Sequence, residues 1–166
     1  MQIEIIMAGF GGQGIMFAGQ ILSYAAMDAG KQVTWIPSYG PEMRGGTANC
    51  TVVISDEEIG SPVIQYPPVA LAMNLPSLDK YEPLMRKGGT LVVNSSMGDR
   101  PAKRDDITAI YVPANDIAEE IGDKRLANMV AVGALLASAI PVLTVKDIEA
   151  TLNAHMPGRH KPLLPK

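Results

Sequence analysis

Short apolar runs alternate with stretches of helical periodicity along most of this chain. The first run is apolar except for Glu4 and is followed at once by glycine, a pattern typical of a buried strand. The second run is short and ends at Pro37. By the same criteria, strands are predicted at residues 3–8, 33–36, 48–54, 69–73, 90–94 and 107–112.

Helix-start residues mark the segments between these strands. Asn74, Pro76 and Ser77 favour the start of a helix over residues 78–85, which Pro83 should kink or divide. Thr144 and Asp147 have the spacing of a capping box for a last helix that runs to about residue 155. The other predicted helices span residues 15–29, closed by Gly30, 115–121, capped by Asn115, and 128–139, capped by Asn128.

The alternation of strands and helices predicts an α/β fold. We expect a single Rossmann-like domain over residues 1–156, with a mostly parallel sheet and helices on both faces. The proline-rich, basic residues 157–166 are expected to form an extended C-terminal tail. Ligands of such sheets collect beyond the carboxyl ends of the strands. The turn that begins at Gly9, the loop at residues 37–46, Asn74, and Ser95 with Ser96 all follow strands and would converge there.

Composition narrows the possible partners. The 166 residues suit one domain, and a net charge of −3 with a pI of about 5.3 argues against nucleic acid or an acidic membrane as a partner. The longest apolar stretch, residues 129–143, is interrupted by Gly133, Ser138 and Pro141 and is too short to cross a bilayer. Because no signal peptide precedes the first strand, a cytoplasmic protein is expected.

Cys50 is the only cysteine of the chain. One cysteine excludes an internal disulfide, a multi-cysteine zinc site and an iron–sulfur cluster held by this chain alone. No histidine lies near Cys50 in the sequence, which favours a buried inert thiol over a nucleophile. The two histidines, His155 and His160, are a weak basis for a metal site. We therefore assign no catalytic residue and no metal ligand.

A glycine-rich turn follows the first strand directly and opens the first helix. The first, second and third glycines of the dinucleotide fingerprint allow a tight turn, close approach of a phosphate, and packing of the helix on a strand. Amides at the helix start would face an anion. The candidate cofactor-binding residues are Gly9, Gly11, Gly12, Gln13 and Gly14.

The ribose-binding acid of a dinucleotide site is absent from its usual place. That place, the end of the second strand, reads Ile36, Pro37 and Ser38, and Asp28 lies too early, in the first helix. This argues against a small Rossmann dehydrogenase with a nicotinamide or flavin cofactor. A purely structural role for the glycines, packing helix against strand, remains an alternative.

Residues 38–49 are denser in glycine and polar side chains than a simple connection requires. Glu42 and Arg44 stand between Pro41 and the pair Gly45 and Gly46, which places both charges on stiff, approachable backbone. The segment is either a solvated surface turn or a surface that contacts a ligand or partner.

Three motifs in order resemble one enzyme family: the turn at residues 9–14, the run at 38–49, and Asn128 with the three residues after it. Together they are similar to the gamma subunit of the 2-oxoacid:ferredoxin (acceptor) oxidoreductases, of the pyruvate/ketoisovalerate oxidoreductase catalytic-domain family. The resemblance covers residues 3 to about 155, and the middle motif is its specific part.

The resemblance implies a non-autonomous enzyme subunit. In this family the complete enzyme decarboxylates a 2-oxoacid on thiamine diphosphate, passes electrons through iron–sulfur clusters to ferredoxin, and transfers the acyl group to coenzyme A. Thiamine diphosphate, magnesium and the clusters are expected in partner subunits, named alpha, beta and possibly a ferredoxin-like delta. Coenzyme A is expected as the co-substrate, and no cofactor is expected to be held by this chain alone.

The resemblance also suggests positions for the site. The residues of the glycine turn would supply amides for a phosphate on the coenzyme A side of a shared cleft. The residues expected to line or brace the interface or cleft are Ser38, Tyr39, Gly40, Pro41, Glu42, Arg44, Gly45, Gly46, Asn49 and Asn128.

The substrate is less closely indicated than the family. The residues of the middle motif most resemble those of family members that act on 2-oxoglutarate, which is the favoured substrate. Pyruvate, branched-chain 2-oxoacids and indolepyruvate are the alternatives. A function of a different class is a stand-alone nucleotide- or coenzyme A-binding module without catalysis.

Overall fold

A computed structural model describes residues 1–39, 47–98 and 100–163. The strands are β1 (Gln2–Phe10), β2 (Gln32–Tyr39), β3 (Thr47–Ser55), β4 (Val69–Ala72), β5 (Thr90–Asn94) and β6 (Thr108–Val112). The α-helices are α1 (Ile15–Asp28), α2 (Leu75–Tyr81), α3 (Ala114–Ile121), α4 (Ala127–Ala139) and α5 (Val145–His155). Short 3-10 helices occupy Glu82–Leu84, Lys124–Leu126 and Gly158–Leu163.

The described strands form one sheet in the order β2-β3-β1-β4-β5-β6. β1, β4, β5 and β6 pair in parallel, whereas β3 pairs antiparallel with both β1 and β2. Within this sheet β3 therefore runs against the other strands, and the mostly parallel sheet predicted from the sequence is confirmed. The carboxyl ends of β1, β2, β4 and β5 consequently lie at the same edge.

Helices cover both faces of the sheet, but unequally. On one face α1, α4, α5 and the start of α3 pack in the larger core, which includes Ile5 and Met7 of β1. On the other face α2 and the 3-10 helix after it cover smaller clusters, which include Leu78, Ile6 and Ala8. Side chains of β1 thus alternate between two buried faces, as expected of a central strand.

The second strand is longer than predicted. β2 continues past Pro37 to Tyr39, which pairs with Ala48 of β3. The predicted end at Pro37 was wrong because β2 is an edge strand, where a residue without an N–H is tolerated. Ser38, predicted in a loop, lies opposite Asn49 in the paired strands.

Two predicted helix caps are confirmed. Asn74 accepts a hydrogen bond from Ser77 N at 2.9 Å and caps α2, although α2 begins at Leu75 and ends before Pro83, earlier than predicted. Thr144 and Asp147 form a capping box at α5.

Two other predicted caps were wrong. Asn115 and Asn128 lie inside α3 and α4, one residue after each helix begins. Their carboxamides bond to other elements instead, Asn115 to Asn94 and Asn128 to Gly14. The end of the chain also differs from the extended conformation predicted for it, since Gly158–Leu163 is a 3-10 helix.

Candidate functional site

An open cavity of about 460 Å³ lies where the turn after β1 meets the start of α4. Its walls come from the glycine turn, the first turn of α1, the 3-10 helix before α4, and the chain just after α5. The lining residues are Gly12, Gln13, Gly14, Phe17, Arg125, Leu126, Asn128, Met129, Met156 and Pro157. The cavity therefore lies at the sheet edge where ligands of α/β folds are expected.

The start of α1 forms one wall of this cavity. Gly14, the residue before α1, has φ 75° and ψ 21°, and no side chain among the described residues caps the helix. The first bond of the helix runs from Ala18 N to Gly14 O at 2.9 Å, so the amides of residues 15–17 have no acceptor within the helix. Uncapped amides and the positive end of the helix dipole together favour an anion.

Arg125 supplies a cation to the opposite wall. Its Nη2 donates to Asp123 Oδ2 at 2.6 Å and its Nε to Asp123 Oδ1 at 2.9 Å. The hydrogen bonds to this carboxylate raise the pKa of Arg125 above its usual value, so the guanidinium stays charged. The side chain is 68% exposed, and its charge is partly offset by Asp123.

Gly14 and Asn128 fit each other. Asn128 Nδ2 donates to Gly14 O at 3.1 Å, and a Cβ on Gly14 would come within 2.4 Å of that nitrogen. Asn128 is buried, and its Oδ1 accepts from Met129 N. A glycine is therefore required here for its positive φ and for the carboxamide packed against it.

Gly9 and Gln13 form a second pair of the same kind. Gln13 Oε1 accepts from Phe10 N at 2.6 Å and from Asn74 Nδ2 at 3.1 Å, which folds the side chain back over the turn. A Cβ on Gly9 would lie 2.6 Å from Gln13 Oε1. The missing side chain at Gly9 thus makes room for the residue that ties the turn to the end of β4.

The close helix–strand packing predicted for the third glycine, Gly14, is found at Gly19 instead. Gly14 packs against α4, not against a strand. Close helix–strand packing occurs at Gly19, where a Cβ would lie 2.5 Å from Cys50 Sγ and 2.9 Å from Trp35 Nε1.

Side-chain amides continue along the sheet edge. Asn94, at the end of β5, donates to Met73 O at 3.2 Å and to Asn115 Oδ1 at 2.7 Å. Its Oδ1 accepts from Ala114 N at 3.1 Å and thereby caps α3. Since Gln13 Nε2 also donates to Met73 O, at 3.4 Å, one carbonyl joins the two amide clusters.

The predicted site residues divide into three groups. Gly12, Gln13, Gly14 and Asn128 line the cavity, and Gly9 and Gly11 lie at the end of β1 and in the adjoining turn. Ser38, Tyr39 and Asn49 lie in the β2–β3 hairpin, which reaches the glycine turn because Thr47 pairs with Phe10. The predicted residues that lie outside the described part of the chain are Gly40, Pro41, Glu42, Arg44, Gly45 and Gly46.

Several lining residues were missed by sequence reasoning. Arg125 and Leu126 stand only two or three residues before the Asn128 motif, a proximity that could have suggested them. Phe17 is half-buried in the first turn of α1 and packs against the larger core. Met156 and Pro157 reach the cavity only because α5 packs on α1, a contact that the local sequence does not encode.

Cys50 is fully buried in the larger core. Burial raises its pKa to about 12, despite the opposing effect of Trp35, and its Sγ donates to Ile15 O at 3.7 Å. These properties suit an inert thiol, as predicted, because the thiolate is the reactive form.

The described residues contain no group of three or more His, Cys, Asp and Glu side chains placed to hold a metal ion. None of the helices among them has the length and apolar character needed to span a membrane.

The fold and the cavity define a Rossmann-like α/β domain with a glycine turn and an uncapped helix start at the carboxyl edge of the sheet. More particularly, the chain belongs to the pyruvate ferredoxin/flavodoxin oxidoreductase family, whose model matches residues 4–164. The family resemblance seen in the three motifs is thereby confirmed.

Curated relatives carry two different substrate names. The chain is 39% identical to ketoisovalerate oxidoreductase subunit VorA of Methanothermobacter marburgensis over 96% of its own length and 33% of the relative. It is 40% identical to 2-oxoglutarate synthase subunit KorC of the same organism over 95% of this chain and 88% of the relative. The chain thus spans about a third of VorA but most of KorC.

Solved structures share the fold over nearly the whole chain. The keto/oxoacid ferredoxin oxidoreductase gamma subunit from Geobacter sulfurreducens has a TM-score of 0.86 and 29% identity, covering 99% of this chain and 91% of that one. A second solved structure is the 2-oxoglutarate:ferredoxin oxidoreductase from Magnetococcus marinus with 2-oxoglutarate, coenzyme A and succinyl-CoA bound. It has a TM-score of 0.87 and 25% identity, and the match covers 99% of this chain and 28% of that one.

Proposed function

We propose that this chain is the gamma subunit of a cytoplasmic 2-oxoacid:ferredoxin oxidoreductase and forms the phosphate-binding wall of its coenzyme A site. The observation that carries the proposal is the 460 Å³ cavity between the uncapped start of α1 and Arg125. A family member of the same fold was solved with coenzyme A bound, which supports this choice of ligand.

The residues present fit the phosphates of coenzyme A. A Cβ on Gly12 would meet no atom within 4 Å, so a ligand could approach the backbone of the turn closely. The amides of residues 15–17 and the Arg125 guanidinium would donate to diphosphate oxygens. Phe17, Leu126 and Met129 offer apolar surface to the rest of the ligand.

The proposed overall reaction converts a 2-oxoacid, coenzyme A and two oxidised ferredoxins to acyl-CoA, carbon dioxide, two reduced ferredoxins and a proton. Thiamine diphosphate and iron–sulfur clusters in the alpha, beta and possibly delta subunits would supply decarboxylation and electron transfer. The residues of this chain would bind and orient coenzyme A, and no acid, base or nucleophile is assigned to them.

We favour 2-oxoglutarate as the substrate because the motif at residues 38–49 most resembles that of family members that act on 2-oxoglutarate. The relatives do not separate 2-oxoglutarate from ketoisovalerate, since both names occur at about the same identity. Pyruvate and indolepyruvate remain alternatives. Turnover of the purified complex with each of the four 2-oxoacids, compared by kcat/KM, identifies the substrate.

Purification of the tagged chain from its native host tests the proposal. We expect it to bring down a thiamine-binding partner and a coenzyme A-dependent 2-oxoacid oxidation that reduces ferredoxin. Recovery of the chain alone, with coenzyme A bound but no partner, would instead support the stand-alone binding module. Recovery alone without affinity for coenzyme A would contradict both functions.

A further inference from the structure

We propose that Asn128 is a positioning residue for the ligand of this cavity: through Gly14 it holds the first-turn amides of α1 in the arrangement that binds a diphosphate. The inference rests on the proposed function, since coenzyme A is the diphosphate ligand considered. It adds a residue that acts on the ligand indirectly, from a different helix.

The hydrogen bond of Asn128 reaches Gly14, the residue immediately before α1. Gly14 O accepts from Ala18 N at 2.9 Å, the first bond of the helix, and from Asn128 Nδ2 at 3.1 Å. A carbonyl oxygen has two lone pairs, so both bonds can be made at once. The orientation of the peptide between Gly14 and Ile15, and of the amides that follow, is therefore fixed from α4.

The carboxamide is itself held firmly. Asn128 is 7% exposed, lies at the first turn of α4, and accepts from Met129 N at 2.9 Å through Oδ1. This bond aims Nδ2 at Gly14. The nitrogen also occupies the space that a Cβ on Gly14 would need, so contact and hydrogen bond act on the same peptide.

Gly14 needs such a restraint. With φ 75° it occupies a region that glycine enters about as readily as its alternatives, so the backbone does not fix this conformation by itself. Amides bind a diphosphate well only when they are aligned before the ligand arrives. Loss of the Asn128 bond should therefore weaken binding of the phosphate-containing part of the ligand specifically.

The experiment compares coenzyme A with pantetheine, an acceptor thiol without the phosphates, in the complex purified from the native host. Asn128→Leu keeps the branching and number of side-chain heavy atoms and removes the donor, and Asn128→Ser is a smaller variant in case the larger leucine disturbs packing. Asn153→Leu is the matched control, because Asn153 Nδ2 donates to a helix carbonyl, Glu149 O, on the exposed surface of α5.

We expect either Asn128 variant to raise the KM for coenzyme A about tenfold, roughly 1.4 kcal/mol, with kcat within twofold and the KM values for pantetheine and the 2-oxoacid unchanged. An unchanged KM for coenzyme A, or an equal rise for pantetheine, would overturn the inference. Absence of coenzyme A-dependent turnover in the wild-type complex would overturn the proposed function itself.

Discussion

Two glycines of the turn are explained by the side chains that take the space of their missing Cβ atoms. Gly9 admits the carboxamide of Gln13, and Gly14 admits that of Asn128. The turn is consequently tied to β4 through Gln13 and to α4 through Asn128. The glycines of this turn therefore allow close packing between the turn, the end of β4 and the start of α4.

Gly14→Ala should lower the free energy of unfolding by about 3 kcal/mol, because the positive φ costs about 1–2 kcal/mol and the contact with Asn128 adds overpacking. Gly12→Ala is the control, since φ of Gly12 is 95° but a Cβ there would meet nothing within 4 Å. It should lower the free energy of unfolding by only about 1 kcal/mol. Urea unfolding measures both. Equal losses would show that the Asn128 contact is unimportant.

Cys50 should resist thiol reagents at pH 8 in the folded chain and react fully once unfolded. Its full burial and its pKa of about 12 leave almost no accessible thiolate. A colorimetric thiol titration with and without denaturant checks this. Rapid modification of the folded protein would contradict the structure around β3.

At the scale of elements, a buried carboxylate holds the connection between β5 and β6 against the second face of the sheet. Glu82 is 2% exposed and accepts from Arg100 Nη1 at 2.8 Å, from Arg104 N at 2.9 Å and from Lys103 N. Burial alone would raise its pKa, but these hydrogen bonds outweigh burial and lower the pKa below its ordinary value.

Glu82→Gln should therefore destabilise the chain by about 2 kcal/mol at pH 7, because it removes a charge that three donors surround. The pKa of Glu82 is lower in the folded than in the unfolded chain. Its stabilisation is consequently present above the ordinary pKa of 4.5 and is lost as the pH falls through the folded value. Chemical unfolding at a series of pH values from 7 to 3 should show the free energies of unfolding of the wild type and of Glu82→Gln converging as the pH falls.

The control for this network is Asp79→Asn. Asp79 also pairs with Arg100, at 2.6 Å, but its side chain is largely exposed. Asp79→Asn should therefore lower the free energy of unfolding by less than about 1 kcal/mol. A loss at Asp79 as large as that at Glu82 would mean that burial does not set the strength of this network.

Elements with local signals were predictable, and elements set by distant contacts were not. The β5 limits and the capping box of α5 follow from residues close in sequence. The start of α3 does not, because its cap is Asn94, twenty residues earlier in β5. For the site, the glycine turn was predictable from its spacing, whereas the walls from α4 and the end of α5 depend on packing between helices.

At the scale of the whole molecule, the β2–β3 hairpin reaches the sheet edge that carries the cavity. β3 pairs with β1, and its first residue, Thr47, lies opposite Phe10 and so beside the glycine turn. Under the proposed function, a partner subunit would complete the cleft at this end of the hairpin. The proposed contact residues include Tyr39, at the end of β2, together with Glu42 and Arg44, which lie outside the described residues.

Tyr39 is the described residue best suited to test that contact. It ends β2 and is 58% exposed, and exposed aromatic side chains commonly dominate the binding energy of interfaces. Tyr39→Ser should weaken association with the thiamine-binding partner about tenfold or more, measured by titration of the purified subunits, while leaving the unfolding midpoint of the chain nearly unchanged. Tyr66→Ser is the matched control, because Tyr66 is 56% exposed and lies outside the hairpin, before β4. Equal effects of the two substitutions would show that the partner does not meet the chain at this hairpin.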